Sequence, residues 1–255
     1  MEASREIISE RSYSTLISKL KPTTISMQEK NQTSRRGFLG NFASGAAALG
    51  LATLSGTLQE LQASPGFSGT NPGDPEEVFK NLKGKHRIVF DVPEATGIFP
   101  FVWPRVFLLT NMATGTAEKD NNVVVVLRHT GIPYAFEERL WSKYNFGEFF
   151  KVNGEQKTIN NNPFWKPAKG TYKVPGFGVV DIGINELQDS GVQFVVCNAA
   201  MTVYSAAYAE QNKMDAAAVK KDWESGLLPG ITVVPSGVWA LGRAQENKCA
   251  YCFAG

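Results

Sequence analysis

Three cysteines and two histidines are the scarce reactive side chains of this 255-residue chain. Cys197 is the sharpest candidate for chemistry. It closes the apolar run Val192–Cys197 and directly precedes a segment with helical spacing that is rich in Ala and Tyr. A cysteine where a strand passes into a helix meets free backbone N–H groups and the positive end of the helix dipole, and both favour thiolate over thiol. A thiolate is the nucleophile that sulfur transfer or thiol exchange requires. The competing reading is an inert buried cysteine, a common fate of a thiol on a strand. His129 also follows an apolar run, Asn122–Leu127. A neutral imidazole near Cys197 would accept its proton, and a protonated one would stabilise its anion. The catalytic candidates are therefore Cys197 and His129. Arg128, Asn198 and Ser236 are the ligand-binding candidates: Arg128 offers a guanidinium to an anion, and Ser236 is placed to cap a helix and leave N–H groups facing one.

Other constellations carry less. Cys249-Ala-Tyr-Cys252 is a C-x-x-C on an expected terminal strand, where the two thiols point to opposite faces, whereas redox motifs of this spacing open a helix. Asp91 and Glu94 form a candidate carboxylate pair or, more simply, a strand-end cap and a solvated charge. Phe99, Phe101, Trp103 and Phe107 read as core or subunit interface. There is no G-x-S-x-G, no P-loop, and no G-x-G-x-x-G after the first strand, so neither a hydrolase elbow nor nucleotide binding has a positive sign. A four-ligand zinc site would consume nearly every Cys and His at spacings that do not fit, and no cofactor is implied.

The elements that must position these residues alternate. Strands are expected at His86–Val92, Asn122–Leu127, Val192–Cys197, Ile231–Val234 and Cys249–Phe253. Helices are expected at Val102–Met112, with Pro104 in the first turn, and at Phe136–Tyr144, Ile184–Asp189, Ala199–Gln211, Ala216–Ser225 (capped by Asp215) and Val238–Asn247. Val123–Leu127 is continuously apolar and β-branched, which fits a central parallel strand covered on both faces. Strands alternating with helices predict an α/β fold, a three-layer α/β/α sandwich on a five-stranded parallel sheet with right-handed crossovers. In such sheets ligands sit beyond the carboxyl ends of the strands, and that rule selects Asp91, Glu94, Arg128, His129, Cys197, Asn198, Pro235 and Ser236. Residues 151–181, rich in Asn, Gly, Pro and aromatics, interrupt the rhythm as a loop insertion. Either this is a surface excursion, or Phe164, Trp165, Tyr172 and Phe177 cap a pocket above the sheet.

The N-terminal part reads as an address. Ser34-Arg-Arg-Gly-Phe-Leu-Gly40 followed by the mildly apolar Asn41–Leu54 resembles a twin-arginine (Tat) signal. Residues 1–63 are set aside as this targeting segment, with Ala63 before Ser64 as an imperfect cleavage site, Met27 as an alternative start, and a retained anchor as the other outcome. Residues 64–80 are a linker, and 81–255 the domain. The targeting segment holds seven Lys/Arg and five Asp/Glu, which leaves the remainder with nineteen of each sign. A neutral domain without charge runs gives no sign of a nucleic-acid partner. The resemblance to a Tat signal implies export through the Tat translocase, to the periplasm or to an anchored position on the outer face of the cytoplasmic membrane.

Gly191-Val-Gln-Phe-Val-Val-Cys197-Asn198, Leu228-Pro-Gly-Ile-Thr-Val-Val-Pro-Ser-Gly-Val-Trp-Ala240, Arg243-Ala-Gln-Glu246 and the strand leading into His129 together resemble the DsrE/DsrF-like family over roughly residues 85–255. The resemblance implies a five-stranded α/β/α domain that assembles as a homo-oligomer, a trimer or hexamer. It implies that Cys197 carries sulfur as a persulfide, taken from and passed to a donor or acceptor protein or a small sulfur species. Two other readings stand beside it: a non-catalytic binding module of the same fold, and thiol exchange through Cys249 and Cys252.

Overall fold

The computed structural model describes residues 74–152 and 159–255. The targeting segment, its cleavage site, the alternative start and the linker up to residue 73 lie outside the described residues. Among the described residues seven strands and eight α-helices follow one another. They are α1 (Glu77–Lys80), β1 (His86–Val92), α2 (Phe99–Ala113), β2 (Asn121–Leu127), α3 (Glu138–Tyr144), α4 (Phe146–Phe149), β3 (Lys173–Val174), β4 (Gly178–Val179), α5 (Ile184–Asp189), β5 (Val192–Cys197), α6 (Asn198–Asn212), α7 (Ala216–Ser225), β6 (Ile231–Val234), α8 (Gly237–Glu246) and β7 (Ala250–Phe253). Five strands form one sheet in the order β6-β5-β2-β1-β7, parallel at every pairing. The fold is the α/β three-layer sandwich that the sequence rhythm predicts.

The sheet divides the core by the pleat. Phe90, Val92, Val123, Val125, Leu127, Phe194, Val196 and Val233 face one layer, with Phe101, Leu108, Trp141, Met201 and Trp223 from the helices. Val89, Val124, Val126, Val195 and Val234 face the other, covered by Phe79 of α1 and by Ala240 and Ala244 of α8. β2 therefore buries both its faces, which is why its sequence is apolar without alternation. β3 and β4 pair separately as a short antiparallel ribbon, while β1, β2, β5 and β6 step in one direction across the sheet, and right-handed crossovers put their helices on the first face. The chain then returns from β6 at one edge to β7 at the other, so α8 crosses the opposite face.

Several boundaries differ from the sequence expectation. α2 starts at Phe99, three residues early, because Pro100 supplies the fixed φ that suits a first turn; Pro104 lies inside the helix. Phe136 is not helical: a 3₁₀ segment occupies His129–Ala135, Phe136 bridges Leu227, and α3 begins at Glu138. The last strand excludes Cys249, and the final residues of the expected linker form α1. Two caps stand where expected, with Asp215 accepting from Ala218 N (2.7 Å) and Ser236 from Trp239 N (3.2 Å). Among the described residues no helix is long and apolar enough to cross a membrane.

Candidate functional site

β5 runs into α6 on one face of the sheet, while the neighbouring β6 runs into α8 on the other. The carboxyl ends of these two strands are the point where the chain's winding reverses, the place where open parallel sheets leave a crevice. Cys197 ends β5 and Ser236 follows the end of β6. Cys197 is the N-cap of the 15-residue helix α6: its Sγ accepts the Ala200 N–H at 3.2 Å, and the residue is 6% exposed. Ser236 caps α8 in the same way, and the Ala199 N–H donates to Pro235 O at 3.1 Å, tying the two helix starts together. Asn198 is the first residue of α6 and is partly buried.

β2 lies beside β5, so the ends that carry Arg128, His129 and Cys197 adjoin. Arg128 follows the last registered pair, Leu127↔Val196. Its Nε and Nη2 donate to the two oxygens of Asp91, at 2.6 and 2.9 Å. The Tyr251 hydroxyl, from β7, donates to Asp91 Oδ2 at 2.8 Å. Asp91 is almost fully buried, and its partner is Arg128 rather than Glu94, which is exposed. Hydrogen bonding to Asp91 holds the Arg128 guanidinium protonated against the desolvation it suffers, and the Cys197 side chain adds to that electrostatically. Gly237 explains why α8 can begin here. A Cβ at that position would overlap the Arg128 Cβ and come within 2.8 Å of its Cδ, so the arginine stem needs a glycine beneath it.

His129 sits in the left-handed region (φ 49) and is exposed. It forms no hydrogen bond to Cys197 among the described residues; its ring stands edge-on to Tyr204, centroids 5.6 Å apart. Tyr204 belongs to α6, the helix that Cys197 caps. Burial pushes its hydroxyl up to about 12, and proximity to Cys197 contributes in the same direction. Sequence reasoning missed Tyr204, although it lies seven residues after Cys197, two turns along one helix face. It also missed Tyr251, which comes from the far end of the chain and left no local signal.

The remaining candidates separate. Cys249 and Cys252 are free thiols; Cys249 packs in the core beneath α8 and Cys252 against the opposite core. Burial pushes both thiols up. Phe101 is core and Phe107 packs edge-on to Phe90, whereas Phe99 and Trp103 stack on each other at the surface, 5.3 Å apart. The described part of the 151–181 loop is built into the domain. Asn162 donates to the carbonyls of Tyr134 and Phe136, and Phe164 stacks between Phe101 (4.0 Å) and Tyr172 (5.2 Å). Phe177 alone of the loop's four aromatics is strongly exposed. Grooves of about 500 and 440 Å³ lie away from Cys197, one along Tyr144, Phe149 and Tyr208, the other at the amino ends of β5 and β6.

No family model and no curated protein matches the chain. Among solved structures it is similar to a protein of unknown function from Methanobacterium thermoautotrophicum, with 20% identity and a TM-score of 0.30, over 66% of this chain and 98% of that one.

Proposed function

We propose that the protein is a sulfur carrier whose working atom is Cys197 Sγ. The observation that carries this reading is the position of that sulfur: it caps a 15-residue helix at the reversal point of the sheet, with a guanidinium on the adjoining strand end. In sulfur transfer the thiolate is the attacking form. The step needs no outside oxidant. The Cys197 thiolate attacks the terminal sulfur of a donor persulfide or polysulfide, the donor S–S bond breaks, and the shortened donor leaves as its thiolate. An acceptor thiolate then attacks the outer sulfur of the Cys197 persulfide and releases Cys197. His129 presents an exposed imidazole near the same strand ends, edge-on to Tyr204.

The test is the intact mass of the reduced protein after exposure to a polysulfide donor. The reading expects a gain of one sulfur that is lost in Cys197→Ser and kept in Cys249→Ser and Cys252→Ser. Equal uptake by all three variants overturns it.

We infer in addition that the Arg35-Arg36 segment directs export through the Tat translocase, which places the domain in the periplasm or anchored at the outer face of the cytoplasmic membrane. The apolar side chains Phe99, Trp103, Leu109 and Met112, all exposed on α2, support assembly as a homo-oligomer, a trimer or hexamer. Fractionation with an Arg35→Lys/Arg36→Lys variant tests the first inference and light scattering the second.

A further inference from the structure

We propose that Arg128, held in place by Asp91 and Tyr251, is a specificity-determining residue that makes the Cys197 site select negatively charged sulfur donors over neutral ones. The sulfur-carrier reading supplies the identity of the atom transferred, and in that respect the proposal rests on it; the charge preference stands on geometry alone. Arg128 follows directly after Leu127, whose registered partner Val196 precedes Cys197, so the two residues adjoin across β2 and β5. Two of its three guanidinium nitrogens are committed to Asp91, which fixes the plane of the fork. The third, Nη1, makes no hydrogen bond among the described residues and is left as a donor for a ligand, and the side chain is 26% exposed. Gly237 lies against the stem, and its lack of a Cβ leaves the room that the stem occupies. Asp91 neutralises Arg128 at long range. The attraction is therefore short-ranged and directional, suited to a donor that carries its charge close to the reacting sulfur, such as an inorganic polysulfide.

Asp91 and Tyr251 are positioning residues. Tyr251 reaches Asp91 from β7, which pairs with β1, so the last strand of the domain sets the aim of an arginine two strands away.

Iodoacetate and iodoacetamide differ in charge and share a leaving group. Their rates at Cys197, read by peptide mass on the full chain, give a ratio that reports local potential. The ratio is expected to stand roughly tenfold above that of the urea-denatured chain at low ionic strength and to fall with added salt. Arg128→Gln is expected to return it to the denatured value. Tyr251→Phe, an exposed and mild change, is expected to lower it about twofold. A wild-type ratio equal to that of the denatured chain overturns the proposal whether or not any variant folds, as does an elevated ratio that Arg128→Gln leaves in place. Failure here is distinct from failure of the sulfur-carrier reading. A protein that gains sulfur without charge preference loses this proposal alone; one with charge preference and no sulfur uptake loses only the carrier reading.

Discussion

The Asp91–Arg128 pair makes a quantitative test of the site's construction. The Asp91 side chain is 2% exposed and the Arg128 side chain 26%, with bonds of 2.6 and 2.9 Å between them. Arg128→Ala strands a buried carboxylate whose remaining donor is the Tyr251 hydroxyl. Removing one partner of a buried pair costs roughly 3–5 kcal/mol; the low end, about 3, applies because Tyr251 stays and water can follow a quarter-exposed side chain. Asp91→Ala leaves a guanidinium that can turn to solvent, at about 2 kcal/mol. The double variant leaves neither charge, and about 3 kcal/mol is expected, so the two groups couple by about 2 kcal/mol. In urea denaturation, with a slope near 2 kcal/mol per molar, Arg128→Ala lowers the midpoint by about 1.5 M. The assay is the full cycle of four proteins at pH 7. Single effects that add to within about 0.5 kcal/mol would refute the reasoning, because they would mean that the carboxylate does not depend on this arginine.

Three further outcomes follow from the structure. Phe164→Ala is expected to cost about 3–5 kcal/mol in urea unfolding, since the ring is 3% exposed between Phe101 and Tyr172; a loss under about 1 kcal/mol would make the loop a surface excursion after all. Burial of Asp222 pushes its carboxyl up, but hydrogen bonds from Lys143, Tyr144 and Arg139 outweigh this and hold it below the usual range. The stabilisation is therefore present above the unfolded value near 3.9 and is lost as pH falls through the folded one. The stability advantage over Asp222→Asn, about 1–2 kcal/mol at pH 7, should shrink from about pH 5 downward, and a gap independent of pH counts against the network. Burial pushes Tyr172 and Tyr204 up to about 12. An ultraviolet titration should show a late tyrosine ionisation that diminishes in Tyr204→Phe, and stability should fall as pH rises above about 10, where the unfolded phenols ionise first.

Local pattern carried the architecture. The five strands, their parallel pairing and the caps at Asp215 and Ser236 follow from apolar runs, β-branching and N-cap chemistry, which act within a few residues. The exceptions are instructive. Phe136 carries helical surroundings, yet its bridge to Leu227 and the hydrogen bonds Asn162 makes to its carbonyl and to that of Tyr134 hold it extended. The aromatics of the loop look like a cap in the sequence, and most of them are anchors, because Phe101 and Tyr134 offer a buried aromatic surface that no local signal advertises.

The candidate site divides along the same line. That Cys197 ends a strand and opens a helix is legible locally, because the change from a β-branched run to an Ala-rich one is encoded in adjacent residues. The same holds for Arg128 and His129 at a strand end. The packed fold alone makes β2 adjoin β5, reverses the winding between Cys197 and Ser236, gives Arg128 to Asp91 rather than to solvent, and brings in Tyr251, 160 residues from Asp91, to complete the grip. Strand order depends on crossovers and on which faces can be buried together, and hydrogen-bond partners depend on that order. Neither is written in any single stretch of chain.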